Sequence, residues 1–222
     1  MDSPTKPSVL FVYYTYTQQT LKVAEEMAGV LRGRGCDVYL AAIGFTDPRY
    51  EKRFKEFPMP RPFLEVVAMI PAELRHRPAQ IQIPDVVTER DYDLVCIGAP
   101  TWWLSTDLPI RSFLESDIAG RVLNGKPFAA VVPCRRYWRH NLKTVRRLGT
   151  RRGGAFAAGI HFRYQGGQVR SLLSLISYLG SGDYRERYLG VKIPPTNIQD
   201  YHLEAARTFA DGLANRLASP AS

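Results

Sequence analysis

Short apolar runs that alternate with helical segments constrain the fold of this chain more than any other feature. Five runs are typical of buried strands: Val9–Tyr14, Asp37–Ile43, Asp93–Gly98, Pro127–Pro133 and Ala155–His161. Helical spacing of apolar residues is found in four segments: Leu21–Arg34, Asp107–Ser116, Trp138–Arg152 and Tyr201–Leu217. This alternation predicts an α/β fold, a doubly wound five-stranded parallel sheet with helices on both faces. The 222 residues are enough for one such domain, and we predict a loose tail at 1–8 and a single domain over 9–222.

Two insertions interrupt the alternation. The first, near 45–90, is rich in proline; its best helical pieces are Tyr50–Phe57 and Phe63–His76, and Ile81–Ile83 is a candidate edge strand. The second, near 163–199, is too apolar for a free loop. A lid over a ligand, a homodimer contact, a membrane-facing patch and a helix packed on the core all remain open for it.

Cysteine usage and hydropathy exclude several protein classes. Cys36, Cys96 and Cys134 are odd in number and widely spaced, which argues against a disulfide framework or a metal site and favours a reducing compartment. No run of about 20 apolar residues is present, and the first residues do not form a secretion signal. We therefore expect a cytoplasmic protein.

Positive charge is concentrated in one third of the chain. Residues 118–182 contain twelve Lys and Arg and no acidic residue, and the net charge of the whole chain is +9. The basic face of the Trp138–Arg152 helix is open to three interpretations: a solvated surface, a contact for an acidic protein, or a peripheral contact with an anionic membrane surface. We expect no nucleic acid partner, because the chain has no motif that reads a groove.

Hydroxyl side chains follow the first predicted strand, in the run Thr15, Tyr16, Thr17, Gln18, Gln19 and Thr20. Hydroxyls and unpaired backbone N–H groups at a helix N-terminus form an anion site, so this loop is a candidate for binding phosphate. A helix cap would explain the same threonines. No G-x-G-x-x-G and no G-x-x-x-x-G-K-[ST] motif is present.

Aromatic residues follow the third and fourth predicted strands. The third strand is followed by Pro100, Thr101, Trp102 and Trp103, and the fourth by Cys134, Arg135, Arg136, Tyr137 and Trp138. In a parallel sheet these loops lie at the edge where ligands bind, and indoles suit a flat aromatic ring. The neighbouring arginines would favour a thiolate at Cys134, but we assign no catalytic residue.

Taken together, T-x-T-Q-Q-T, G-A-P-T-W-W and P-C-R-R-Y-W resemble the three ligand loops of the flavodoxin-like family. The resemblance covers nearly the whole chain and implies sheet order 2-1-3-4-5 with FMN between strands one and three. It implies that Thr15, Thr17 and Thr20 hold phosphate and that the second and third loops flank the isoalloxazine ring. Gln18 replaces the family's glycine. PTWWLSTDLPIRSFLES and GKPFAAVVPCRRYW resemble a subgroup known as dialkylresorcinol condensing enzymes.

The resemblance implies an FMN-dependent oxidoreductase that takes hydride from NAD(P)H and reduces a quinone-like or other aromatic acceptor. Arg135 and Arg136 would favour two-electron reduction, because nearby positive charge stabilises anionic reduced flavin. Two alternatives remain: a module with weak or lost FMN binding that contacts a partner or a membrane surface, and a one-electron carrier.

Overall fold

The fold is built on five parallel strands flanked by helices. A computed structural model describes residues 6–71 and 78–218. The strands are β1 (Ser8–Tyr13), β2 (Asp37–Ala42), β3 (Gly44–Phe45), β4 (Ile81–Gln82), β5 (Leu94–Gly98), β6 (Thr101–Trp102), β7 (Ser105–Thr106), β8 (Pro127–Cys134), β9 (Ala155–Arg163), β10 (Arg187–Tyr188) and β11 (Val191–Lys192). The α-helices are α1 (Gln19–Gly33), α2 (Pro48–Phe54), α3 (Pro62–Ala68), α4 (Leu108–Glu115), α5 (Asp117–Leu123), α6 (Trp138–Arg151), α7 (Gln168–Ser181) and α8 (Asp200–Ala218).

The main sheet has the order β2-β1-β5-β8-β9, and every pair in it is parallel. Counting only these five strands, the order is 2-1-3-4-5, so the predicted flavodoxin-like fold is confirmed. The chain reverses its winding between β1 and β5. A crevice therefore opens at their carboxyl ends, where the loops after these strands diverge.

Alternate residues of the central strands face two separate cores. Val9 and Phe11 of β1 pack with buried residues of α1 and α8 on one side of the sheet. Leu10 and Val12 pack with α4, α5 and α6 on the other side. All four side chains are fully buried, which explains why this strand reads as a continuous apolar run.

The predicted elements differ from the structure mainly at their ends. The predicted strand Ala155–His161 continues to Arg163, and a helix that we did not predict, α5, follows α4 directly. The Oγ of Ser116 accepts a hydrogen bond from Ala119 N at 3.3 Å and caps α5, so one serine ends the first helix and begins the second. Sequence periodicity cannot detect such a short break.

The proline-rich insertion is partly helical. Helices α2 and α3 replace the predicted Tyr50–Phe57 and Phe63–His76, and positions 72–76 of the latter lie outside the described residues. Strand β4 pairs antiparallel with β3 and is not an edge of the main sheet, which corrects the prediction for Ile81–Ile83.

The second insertion contains α7 and the β10–β11 hairpin. Of the predicted tail 1–8, the first five residues lie outside the described part, and Ser8 already belongs to β1. Within residues 6–71 and 78–218, no helix is both long and apolar enough to cross a membrane.

Candidate functional site

A cleft of about 160 Å³ lies at the carboxyl ends of β1, β5 and β8, where the three predicted ligand loops meet. Eleven of the fifteen predicted site residues line it: Tyr16, Thr17, Gln19, Thr20, Pro100, Thr101, Trp102, Trp103, Cys134, Arg135 and Arg136. Thr15, Gln18, Tyr137 and Trp138 do not line it. The sheet order brings these loops together, because β1, β5 and β8 are neighbours.

The first loop passes from β1 into α1 through a left-handed residue. Gln18 has φ 61°, its side chain is exposed, and it makes no side-chain cap bond to the helix. Left-handed backbone favours glycine, which accounts for the family's preference at this position. Gln18 therefore keeps the backbone path that glycine would take, and its amide points to solvent.

Some polar side chains of the first loop have hydrogen-bond partners, whereas one buried hydroxyl has none. Gln19 donates through Nε2 to Thr17 O at 3.0 Å and accepts through Oε1 from Ile198 N at 2.7 Å, which ties the loop to the segment before α8. The hydroxyl oxygen of Thr15 is buried and has no hydrogen-bond partner in the structure. Such an orphan group is costly unless a ligand or water satisfies it.

Gly98 allows the first and second loops to pack closely. A Cβ at this position would lie 2.8 Å from Thr20 Cγ2 and 2.8 Å from Tyr13 Cβ. Real Cβ atoms do not approach neighbours so closely. Any larger residue would therefore push the start of α1 away from the end of β5.

The second loop is a tight hairpin formed by β6 and β7 and anchored by Asn141 of α6. Asn141 is fully buried and donates through Nδ2 to Ala99 O at 2.9 Å and to Thr101 Oγ1 at 2.8 Å. Its Oδ1 accepts from Thr106 Oγ1 at 2.6 Å. One amide therefore holds both strands of the hairpin.

The two tryptophans of this hairpin lie in different environments. Trp102 stacks on Phe54 of α2 with ring centroids 5.0 Å apart, and it forms a T-shaped contact with Tyr14 at a centroid distance of 5.4 Å. Trp103 adopts φ 48° at the turn and donates through Nε1 to Val66 O of α3 at 3.2 Å. Trp102 is therefore already part of an aromatic cluster, whereas Trp103 lines the cleft from a turn at which its backbone conformation is strained.

The third loop places a buried thiol and a guanidinium beside the cleft. Cys134 is 2% exposed, and burial raises the pKa of its thiol to about 12. The prediction that neighbouring arginines favour a thiolate at Cys134 is wrong, because the desolvation of the thiol outweighs the effect of the nearby positive charge. Arg135 is half-buried, and no carboxylate lies within ion-pair distance of it among the described residues. It is thus a cationic group available to an anionic ligand.

The rest of the third loop turns away from the cleft. Tyr137 has φ 63° at the start of α6 and is 37% exposed. Trp138 stacks on His161 of β9, with ring centroids 3.6 Å apart and planes 6° from parallel. Both residues remain predicted ligand contacts, although neither lines the cleft in this structure.

Helix α7 covers the cleft. Its Leu172, Leu175 and Leu179 line the interior at helical spacing. Arg135 donates through Nη1 to Gln168 O at 2.9 Å and to Ser171 Oγ at 3.0 Å, which holds the first turn of the helix against the third loop.

The far end of α7 is also fixed. Met59 N donates to Leu179 O at 2.6 Å, and Phe57 packs against Tyr178 at 5.4 Å. Ser174 Oγ donates to Pro194 O at 2.6 Å on the opposite side. The apolar second insertion is therefore a helix packed over the cleft, a position that fits a lid.

Sequence reasoning missed the part of the cleft wall that comes from the first insertion. Phe54, Met59, Val66 and Met69 line the cleft. Their apolar character was visible, but α2 and α3, which contain Phe54 and Val66, are only seven residues long and have no buried residue, and Met59 and Met69 lie outside these helices. Their position depends on the contacts with Trp102, Trp103 and α7, which no local pattern encodes.

The comparisons with known proteins agree with this architecture. No family model and no curated protein matches the chain. Among solved structures, a flavodoxin from the domain Archaea matches with a TM-score of 0.53 and 11% identity, covering 96% of this chain and 99% of that one. Flavodoxin 1 from Bacillus cereus matches with a TM-score of 0.51 and 15% identity, over 95% of this chain and 99% of that one. Flavodoxin 2 from the same species has a TM-score of 0.51 and 13% identity, with coverage of 94% and 99%. At these identities the likeness concerns the fold.

Proposed function

We propose that this chain is an FMN-binding oxidoreductase that uses NAD(P)H to reduce a quinone-like or other aromatic acceptor by two electrons. The observation that carries the proposal is the convergence of three loops on one cleft lined by Arg135, which forms no ion pair with a carboxylate among the described residues. The first of these loops also carries a buried, unpartnered hydroxyl, that of Thr15, outside the cleft lining. The structural neighbours are flavodoxins, which supports FMN as the ligand.

The residues of the cleft fit the chemistry of FMN. The hydroxyls of Thr17 and Thr20, which line the cleft, would hold the phosphate together with the N-terminus of α1. The orphan hydroxyl of Thr15, in the same loop but outside the cleft lining, would be a further donor. Trp103 and the third loop would flank the ring. Arg135 would place positive charge close to it, which favours the anionic reduced form.

Bound FMN would supply hydride acceptance and electron release, and the protein would bind, orient and shield the reactants. In the overall reaction NAD(P)H is oxidised to NAD(P)⁺, and the acceptor gains two electrons and two protons, one of which comes from solvent. The leucines of α7 line the cleft, where they would shield bound FMN from water and restrict access to small molecules. This restriction favours a small acceptor over a protein partner, and hence an enzyme over a one-electron carrier.

The experiment is a titration of the purified chain with FMN, followed by anaerobic addition of NAD(P)H. We expect flavin fluorescence to be quenched on binding and the yellow absorbance to be bleached by NAD(P)H. A chain that does not bind FMN would instead favour the partner-binding module with lost FMN binding. Bound FMN that NAD(P)H does not bleach would favour the carrier. The resemblance to the dialkylresorcinol condensing subgroup stays a prediction from sequence alone, and a carbon–carbon bond-forming activity does not follow from any residue of the chain.

A further inference from the structure

Trp138 and His161, which we call the stacked pair, lie in parallel contact outside the cleft lining. Their ring centroids are 3.6 Å apart and their planes are 6° from parallel. His161 is exposed and Trp138 is partly exposed. The guanidinium group of Arg139 lies over the indole, 4.7 Å from its centroid. A further planar ring can extend such a pair, because one of its two rings is open to solvent.

The register of the sheet places the stacked pair close to the cleft. Strand β9 is the neighbour of β8, and Arg163 of β9 is paired with Cys134, which lines the cleft. Phe162 is buried on the side of α1 and α8. Its neighbours His161 and Arg163 therefore face the other side of the sheet, where α6 packs. Adjacent strands are about 4.8 Å apart, so a ligand that extends out of the cleft can reach the pair.

Two arginines lie next to the stacked pair, and a third connects it to the cleft. Partial desolvation and the charges of Arg139 and Arg163 lower the pKa of His161, so its imidazole is predominantly neutral at pH 7. Arg136 lines the cleft and precedes Trp138 by two residues. None of the three arginines forms an ion pair with a carboxylate among the described residues. They are therefore available to an anionic ligand that also carries a planar ring.

We propose that the stacked pair, Arg139 and Arg163 bind the adenosine 2′-phosphate end of NADPH. The inference rests on the proposed function, because it assigns a site to the reductant of that reaction. Adenine stacks on His161, the 2′-phosphate lies against Arg139 and Arg163, and Arg136 lies on the path to the cleft.

The charge of the site favours NADPH over NADH. Sites for NAD hold the ribose 2′-hydroxyl with a carboxylate, whereas sites for NADP place an arginine at the 2′-phosphate. Residues 118–182, which supply the whole of this site, contain no acidic side chain. Arginine is also the side chain whose planar donors best match a phosphate group.

The test is calorimetric titration of the full chain, with and without FMN, using adenosine 2′,5′-bisphosphate, adenosine 5′-monophosphate and inorganic pyrophosphate. We expect the bisphosphate to bind at least about tenfold more tightly than the other two, because a charge-assisted hydrogen bond contributes roughly this factor. Arg139→Gln with Arg163→Gln should remove this preference. The matched control Arg147→Gln with Arg151→Gln removes two exposed arginines farther along α6, and it should change the dissociation constant by less than about twofold.

Stacking is tested separately at His161. His161→Leu should weaken the binding of both adenosine nucleotides by about tenfold, because it removes the planar surface. His161→Phe keeps a planar ring and should bind them like the parent chain. Urea unfolding of each variant verifies that it folds.

Kinetics with bound FMN separate this inference from the proposed function. NADPH should bleach the flavin with a KM at least about tenfold lower than that of NADH, and Arg139→Gln with Arg163→Gln should raise the KM for NADPH alone. A chain that does not bind FMN but prefers the bisphosphate would refute the redox function and support the adenosine site. Equal KM values for NADPH and NADH, equal affinities for the three probes, or no binding of the bisphosphate would overturn the adenosine site. Bleaching of the flavin would still support the redox function in each of these cases.

Discussion

Replacing Gln18 by glycine tests whether the first loop keeps the backbone of a phosphate-binding loop. Gln18 has φ 61°, and its exposed side chain makes no cap bond. A left-handed conformation costs a residue with a Cβ about 1–2 kcal/mol. Glycine removes this cost but loses about 0.5–1 kcal/mol through its greater freedom in the unfolded chain. The net increase in the free energy of unfolding is therefore about 0.5–1 kcal/mol.

Urea unfolding of the cofactor-free chain measures this increase, and the melting temperature should rise by about 1–4 °C. Gln18→Ala keeps the Cβ and should change the free energy of unfolding by less than about 0.5 kcal/mol. Leu189 is a matched control, because it also has a positive φ, 48°, and lies on the β10–β11 turn. Leu189→Gly should stabilise the chain by a similar amount.

The same variants also test the effect of Gln18 on the ligand. The left-handed backbone is already formed before FMN binds, so its strain is present in both the free and the bound state. Gln18→Gly should therefore change the dissociation constant of FMN by less than about threefold. If Gln18→Gly leaves the free energy of unfolding unchanged or lowers it, the left-handed backbone conformation of Gln18 would be refuted. A tenfold gain in affinity would show that the Gln18 side chain obstructs the phosphate.

Three further predictions concern the walls of the cleft. Asn141→Leu should lower the free energy of unfolding by about 2–5 kcal/mol and abolish FMN binding, because it leaves the buried polar partners of Asn141 in the hairpin unsatisfied. Gly98→Ala should cost about 1–3 kcal/mol through overlap with Thr20, as measured by urea unfolding. At pH 8, peptide mapping after alkylation should show Cys134 reacting roughly a thousandfold more slowly in the native than in the unfolded chain, since its native pKa is about 12.

Distinct outcomes would contradict each of these predictions. A stable Asn141→Leu variant that binds FMN normally would mean that the hairpin does not depend on this amide. Unchanged stability of Gly98→Ala would mean that α1 and β5 are farther apart than the structure shows. Rapid native alkylation of Cys134 would mean that the third loop opens or that the thiol is ionised.

The positions of the three ligand loops were predictable because they depend on strand order and on local sequence. A strand such as Val9–Tyr14 is recognisable from its own apolar residues, and parallel strands place their following loops at one edge. The roles of single residues within those loops were less predictable. Trp102 and Trp103 are adjacent in sequence, yet one packs in an aromatic cluster with Phe54 and the other lies at a strained turn. Burial of Cys134 also depends on the complete fold, and it raises the pKa of the thiol that the sequence led us to expect as a thiolate.

The sequence by itself determined the alternating strands and helices, the doubly wound sheet and the cationic third of the chain, because these follow from local periodicity and residue type. Only the tertiary structure decided what closes the cleft. The short helices of the first insertion and the apolar helix of the second meet over the ligand loops through Met59, Phe57 and Arg135. These contacts join residues far apart in the chain, and their energy comes from burying surfaces that no local pattern pairs.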